Sequence, residues 1–381
     1  MRVGLNLMFL GERAGGIGRL VTELLSALAL RDDVEVVAFV CADAPAEIFA
    51  VPGAQRVRYV KVPVHRPGSP PHLLAHLGLV PALALALRCD VLHSPGNAGP
   101  VRIPGLPCAI SLHDVIWRRA GEDWGDPAAR AAMERYSVPM VRHADRVLTG
   151  SAHAADDVAA EIGIPRDRID VVSNGVRVDL DAPATPEAEL RARLELGGAP
   201  VLLCVAQKRP YKNQESLVRA LAARPAGDAL LVLPGAPTAY EEQLRALAAE
   251  LGVAGRVRFV DWVSDADLEA LYRLATAVLL PSRLEGFGLP VLEAMARGVP
   301  VVCSSTTSLG EVAGDAALLV DPDDQPGIDA AVARVLDDAP LRHQLSAAGR
   351  TRAAAFTWEA VGGATVEAYR RTVAARRARR R

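Results

Sequence analysis

Leu280-Pro-Ser-Arg-Leu-Glu-Gly-Phe-Gly-Leu-Pro-Val-Leu-Glu-Ala-Met-Ala-Arg-Gly-Val-Pro-Val-Val-Cys303 decides how this chain reads. Ala277–Leu280 is a continuous apolar run and predicts a strand. Gly286 and Gly288 predict a loop whose backbone N–H groups can come close to a ligand. Pro290 suits the opening of a helix, Gly298 suits its end, and Pro300 bars continuation. Val301–Cys303 predicts the next strand. The order is strand, glycine loop, short helix, strand. Its helix N-terminus offers unpaired N–H groups and a positive dipole end, a setting for phosphate.

Two carboxylates flank this predicted anion site: Glu285 on the loop and Glu293 in the first turn of the helix. First-turn acids often do no more than complement the helix dipole. The double-glycine loop favours a second reading, in which the acids face hydroxyls, since a carboxylate accepts several hydrogen bonds. A ligand with a diphosphate between sugar rings satisfies both features.

Outward from this stretch, short apolar runs alternate with helical patterns. In the first half the runs are Val3–Leu7, Val34–Val40, Asp90–His93, Cys108–Leu112 and Arg146–Thr149. In the second half they are Pro200–Val205, Leu230–Leu233, Val257–Val260, Ala277–Leu280, Val299–Cys303 and Ala317–Val320. Such alternation predicts parallel α/β sheets with strands buried on both faces. The 381 residues exceed what one core usually organises, so two domains are expected. The charged, proline-bearing stretch Arg177–Gly198 reads as the linker. This gives residues 1–178 as a first domain, 179–355 as a second, and 356–381 as a terminal helix expected to pack back toward the first.

Composition narrows the function classes. The net charge is −2, from 43 Lys and Arg against 45 Asp and Glu, which argues against a nucleic-acid partner. Five cysteines stand at 41, 89, 108, 204 and 303 without metal-ligand spacing, and a reduced, cytoplasmic setting fits them. The N-terminus carries no signal-peptide pattern, and no uncharged apolar run reaches the 18 or so residues of a membrane span. The arginine-rich end, residues 376–381, reads first as a solvated helix end and second as a weak contact with an anionic membrane surface.

Val205-Ala-Gln-Lys-Arg-Pro-Tyr-Lys-Asn213 follows the first strand of the second half. Three cations at a strand end are either a solvated basic loop or a diphosphate clamp. Gly15-Gly-Ile-Gly18 opens a helix after the first strand. As a dinucleotide fingerprint it is defective, because Val21 stands where a small residue is needed. Ser111-Leu-His-Asp114 ends another strand, and open parallel sheets place ligands at strand carboxyl ends.

These residues resemble a known family. Glu285-Gly-Phe-Gly-Leu-Pro-Val-Leu-Glu293 is similar to the Glu-x7-Glu signature of the retaining glycosyltransferases of the GT-B fold, in the family-four class. Pro281-Ser282, Ala294-Met295-Ala296 and Gly298-Val299-Pro300 match as well, and the likeness runs over most of the chain. It is weakest near 40–90 and 115–140. The resemblance implies two Rossmann-like domains facing each other across a cleft. It implies a nucleotide-sugar donor in the second domain, a hydroxyl-bearing acceptor in the first, and no metal and no cofactor.

Residue by residue, the resemblance implies that Glu285, Gly286, Phe287, Gly288 and Leu289 contact the donor sugar and diphosphate, and that Glu293 binds the ribose. Lys212 matches the family's lysine. The usual arginine is missing, with Ala206-Gln207 in its place, so either Lys208 or Arg209 is the second diphosphate cation. Trp262 lies in the segment beside the base, and Gly16 in the loop that approaches the phosphate. His113 stands where the family carries a histidine near the reacting centre. Asp114 holds its ring or contacts the acceptor, and His93 and Asn97 are further acceptor candidates. His113, Glu285 and Lys212 form the expected catalytic set. Thr149-Gly-Ser151 and Ser173-Asn-Gly-Val176 also match, as turns.

The reaction implied is transfer of a sugar to an acceptor hydroxyl with retention of configuration, the acceptor being a saccharide, a lipid-linked sugar or a small natural product. Asp179-Leu-Asp181 and Asp265-Ala-Asp267 have the spacing of a metal motif but sit in linker and helix contexts. The competing readings are a sugar-nucleotide epimerase of the same fold, a phosphorylase, a non-catalytic nucleotide-sugar binder, and an NAD-dependent oxidoreductase. Base, sugar, acceptor and oligomeric state are not legible.

Overall fold

The computed structural model describes residues 1–10, 15–65, 70–100, 103–177, 179, 181–224 and 226–378. They form two compact units. The first comprises Met1–Val115, Pro127–Gly175 and Thr357–Arg381, the second Ile116–Asp126 and Val176–Phe356. The expected first domain, 1–178, therefore needs a correction: Ile116–Asp126 clusters with the second unit. Its 3₁₀ turn Gly121–Trp124 packs on the turn Pro210–Lys212. The terminal stretch Thr357–Arg381 belongs to the first unit.

The first unit holds a parallel sheet of seven strands: β1 (Arg2–Asn6), β2 (Glu35–Cys41), β3 (Arg58–Val62), β4 (Val91–Ser94), β5 (Cys108–Ser111), β6 (Arg146–Thr149) and β7 (Ile169–Val171). Their order is β3-β2-β1-β4-β5-β6-β7. The central strands are the Val/Leu/Ile runs read from sequence, and they are buried on both faces. Each such side chain contributes about 1.5–3 kcal/mol by leaving water. The two strands absent from the sequence reading, β3 and β7, are the sheet edges. Arg58-Tyr-Val-Lys-Val62 is partly exposed, and β7 has only three residues with Asp170 at its centre. Edge strands need apolar residues on fewer faces, so their pattern is weaker.

The second unit holds β8 (Val201–Leu203), β9 (Leu230–Pro234), β10 (Val257–Val260), β11 (Ala275–Leu280), β12 (Val301–Ser304) and β13 (Leu318–Val320), all parallel, in the order β10-β9-β8-β11-β12-β13. This is the doubly wound nucleotide-binding order, with its switch point between β8 and β11. The switch point of the first sheet lies between β1 and β4. Ligands in such sheets bind beyond the strand carboxyl ends at that point.

The terminal helix Trp358–Ala378 packs on the helix Gly15–Ala29 and on β4, β5 and β6. Arg376, expected in a solvated end, is instead buried, and its guanidinium binds the carbonyl of Ile103 and the carboxylate of Asp145. That leaves Arg377 exposed, while Arg379–Arg381 lie outside the described residues. All five cysteines are buried and unpaired. No described helix is long and apolar enough to cross a membrane.

Candidate functional site

In the second unit, the loops leaving β8 and β11 meet at the switch point. The loop after β8 tightens into a 3₁₀ turn, Pro210–Lys212, closed by Asn213 in the left-handed region at φ 57°. Asn213 is fully buried and its amide donates to the carbonyls of Pro281 and Pro322, fixing the turn against the loops after β11 and β13. Lys212 then reaches Glu285: its Nζ lies 2.7 Å from each carboxylate oxygen. Both side chains are largely buried, at 15 % and 11 % exposure. The Ser308 hydroxyl donates to the Glu285 carbonyl at 2.9 Å and holds the loop from the other side.

Gly288 turns this loop into the helix Leu289–Ala296 at φ 106°. A Cβ there would lie 2.3 Å from Leu309 Cδ2, so conformation and packing both demand glycine. Phe287, expected on the donor, sends its ring into the core, 6.3 Å from the ring of Phe356. Only its backbone is left to face a ligand. Glu293 needs a second correction. The helix begins at Leu289, so Glu293 is its fifth residue, beyond the first turn. Dipole complementation is weaker there. Its Oε2 accepts a 2.8 Å hydrogen bond from the Tyr272 hydroxyl.

The cations after β8 separate. Lys208 is fully buried, and its ammonium donates to the carbonyls of Gly235 at 2.5 Å and Val260 at 2.7 Å, with Glu241 at 3.4 Å. Burial lowers its pKa, and Glu241 opposes that shift. Its charge is spent on joining the ends of β9 and β10. Arg209 points elsewhere, its guanidinium lying over the Cα of Gly125, which has φ 79° and no side chain to obstruct it. Trp262, on the loop after β10, is 79 % exposed. The Asp267 carboxylate is held by Thr185 at 2.6 Å and Arg193 at 2.5 Å, a structural role for that acid.

In the first unit, the loops after β4 and β5 are sewn together. Asn97, left-handed at φ 62°, accepts from the His113 backbone N–H at 3.0 Å and donates its own N–H to the Ser111 carbonyl at 3.0 Å. His113 Nε2 lies 2.8 Å from the Pro95 carbonyl. A carbonyl can only accept, so Nε2 carries the proton and Nδ1 keeps the lone pair in the neutral ring. Pro95 therefore orients the ring, and the Asp114 charge also acts on it. Burial lowers the His113 pKa, against opposing pulls from the Pro95 carbonyl and Asp114.

His93, expected at the acceptor, is fully buried on β4. Its Nδ1 lies 2.8 Å from the Tyr369 hydroxyl and its Nε2 2.9 Å from Ser111 Oγ. Both ring nitrogens are thus engaged within the unit. Burial, then the neighbouring His113, drives its pKa down to about 3. Gly16 is the second residue of its helix, exposed, and no atom of the described residues lies within 4 Å of where a Cβ would stand. Residues 11–14 of the loop before it lie outside the described residues. Ser151 caps the helix Ala152–Ile162 by accepting from the Ala154 N–H, which accounts for that motif.

The site now assembled can be set beside known proteins. A model described as "Glycosyl transferases group 1" matches residues 187–352, and one described as "Glycosyltransferase Family 4" matches 14–180. The D-inositol 3-phosphate glycosyltransferase of Streptomyces scabiei is 32 % identical over 393 residues, covering 93 % of this chain and 86 % of that protein. The O-antigen chain mannosyltransferase B of Escherichia coli is 29 % identical over 375 residues, covering 93 % and 96 %. Among solved structures, the sucrose-phosphate synthase of Thermosynechococcus elongatus superposes with a TM-score of 0.73 at 23 % identity, covering 98 % of this chain and 100 % of that one. HepE of Anabaena, in complex with UDP and glucose, gives 0.70 at 18 %, covering 96 % and 98 %. The shared fold is the doubly α/β, GT-B class of glycosyltransferase structure. With two family models covering its two halves and relatives matched over most of their length, this chain belongs to the family 4, or group 1, glycosyltransferases.

Proposed function

We propose that the enzyme transfers a sugar from a nucleotide-sugar to an acceptor hydroxyl with retention of anomeric configuration and without a metal. The second unit takes the donor and the first takes the acceptor. The observation that carries this reading is the meeting of Lys212 and Glu285 at the switch point of the second sheet. There a cation and a carboxylate stand beside a glycine-turned helix start. Lys212 and the N-terminal N–H groups of Leu289–Ala296 would stabilise the leaving diphosphate, with Arg209 as the second cation. Lys208, its ammonium enclosed by two carbonyls, is the poorer choice. Glu285 would hold donor-sugar hydroxyls and Glu293 the ribose. Likeness to HepE, whose structure contains UDP and glucose, supports a nucleotide-sugar donor.

In the step itself, the acceptor oxygen bonds the anomeric carbon on the face that the diphosphate leaves. The carbon–oxygen bond to phosphate breaks, and its electron pair departs with the nucleoside diphosphate. The hydroxyl proton passes to a leaving phosphate oxygen. Such chemistry asks mainly for stabilisation of developing negative charge, worth 10²- to 10³-fold per well-placed donor. His113 Nδ1, with its lone pair, would accept the acceptor hydroxyl and orient its oxygen. The relatives' names, a mannosyltransferase and an inositol-phosphate glycosyltransferase, support a hydroxyl-rich acceptor.

The test is a transfer assay by mass spectrometry, with UDP-, GDP-, ADP- and dTDP-sugars against saccharide and inositol-phosphate acceptors. Product with the donor's anomeric configuration is expected. An inverted product would contradict retention, and epimerised donor without transfer would replace the proposal with the epimerase reading.

A further inference from the structure

Glu293 does not stand alone in the second unit. Tyr272, from the helix Asp265–Leu274, is fully buried and donates its hydroxyl to Glu293 Oε2 at 2.8 Å. The ring is itself pinned. The Arg297 guanidinium lies over it, 4.6 Å from the centroid. Arg297 in turn is anchored at both ends of its fork. Its Nη2 and Nε donate to Glu269 Oε2 at 2.5 and 2.9 Å, and its Nη1 donates to the Glu293 carbonyl at 2.9 Å. Glu269, 5 % exposed, also takes a bond from Arg273 at 2.9 Å. Burial pushes the Glu269 carboxyl up, but the bonds from Arg297 and Arg273 outweigh this and hold it below its ordinary range. Glu269 thus stays charged and keeps Arg297 in place.

The chain of contacts runs Glu269, Arg297, Tyr272, Glu293. Stability alone does not account for it. A buried Arg–Glu pair is often no better than an apolar replacement of equal volume. What the chain does achieve is direction. A glutamate on the fifth residue of a helix can populate several rotamers, and immobilising a flexible side chain costs affinity at the moment of binding. A fixed phenol hydroxyl removes that cost in advance, and a cation over the ring strengthens the hydroxyl as a donor.

We propose that Tyr272, locked under Arg297, is a positioning residue that presets the Glu293 carboxylate for the two ribose hydroxyls of the donor. This rests on the reading, made above, that Glu293 binds the ribose. Tyr272 touches no reacting atom. Its contribution is to donor affinity, and specifically to the share that depends on the hydroxyls.

The test is calorimetric titration of the full chain with UDP, GDP and ADP, each beside its 2′,3′-dideoxy form. The wild type should bind the ribose form of its preferred nucleotide about tenfold or more tighter than the dideoxy form, as expected for hydroxyls bonded to a charged group. Tyr272→Phe should weaken the ribose form alone and bring the ratio below about threefold. In transfer, the donor KM should rise while kcat holds. A wild-type ratio retained in Tyr272→Phe overturns the proposal. A wild type that ignores the hydroxyls, together with an indifferent Glu293→Ala, overturns the ribose reading and the proposal with it. Melting curves accompany each variant. If Tyr272→Phe fails to fold, Arg297→Lys, which removes the fork over the ring, should lower the ratio in the same direction, and an unchanged ratio there is equally fatal.

Discussion

Lys212 Nζ stands 2.7 Å from both carboxylate oxygens of Glu285, although the two residues follow different strands, β8 and β11. The pair closes the proposed donor site on itself. On that proposal a diphosphate would meet a cation already neutralised, so Lys212 would exchange part of its bond to Glu285 for one to phosphate, and Glu285 would gain capacity for sugar hydroxyls. Lys212→Ala should therefore lower kcat/KM by roughly 10²- to 10³-fold. It should also cost about 1–3 kcal/mol of stability by leaving Glu285 largely buried without this partner. Steady-state kinetics and denaturant melts check both. A double-mutant cycle with Glu285→Gln should show coupling of roughly 0.5–3 kcal/mol, and simple additivity would mean the pair is incidental.

His113→Ala removes an Nδ1 lone pair whose direction is set by the Pro95 carbonyl. The expected outcome is a fall in kcat of about 10²-fold with donor binding little changed, on the scale of a lost group that orients the acceptor. Donor titration beside initial-rate kinetics separates the two quantities. Normal turnover would remove His113 from the site.

Gly288→Ala should be destabilising by about 1–3 kcal/mol for its backbone alone, before the collision with Leu309 is counted. Equilibrium unfolding of the variant checks this, and a neutral substitution would show that the loop can adopt another path.

The buried histidines set a pH dependence of stability. His93 is held down to about 3 and His76, on the helical segment after β3, to about 4, chiefly by burial in both cases. Unfolded histidine titrates near 6.5. Below that pH the unfolded chain takes up protons that the folded chain refuses, so stability falls with pH, from about 6.5 towards 4 for His76 and towards 3 for His93. At pH 5 the two together lower it by a few kcal/mol. The melting temperature should drop between pH 7.5 and 5, and His93→Gln should flatten that slope. An equal slope in wild type and variant would show His93 to be protonated in the fold.

What the sequence revealed and what it hid divide along a physical line. Interior strands were legible because burial on both faces demands unbroken apolar runs, as in Val34–Val40 and Ala277–Leu280. The edges β3 and β7 carry no such demand and left no clear trace, whereas the edges β10 and β13 of the second sheet were legible because they keep the apolar runs Val257–Val260 and Ala317–Val320. The glycine loop was legible because Gly288 has a conformation few other residues tolerate. Lys208 and Lys212 look alike in sequence. Only the 3₁₀ turn at Pro210–Lys212 and the carbonyls of Gly235 and Val260 send one inward and leave the other at Glu285. His93 and His113 differ in the same way, by the arrival of Tyr369 from a helix 276 residues further along the chain. The segment Ile116–Asp126 was assigned by position along the chain, which does not encode the unit it packs with.

The most direct test of the account is thermal unfolding of the full chain with a panel of nucleoside diphosphates and nucleotide-sugars, for wild type and Glu285→Ala/Glu293→Ala. One nucleotide-sugar at a hundred times its dissociation constant should stabilise the wild type by about 2.7 kcal/mol and the double variant far less. Equal stabilisation of both proteins, or none by any activated sugar, would contradict the placement of the donor at residues 281–293.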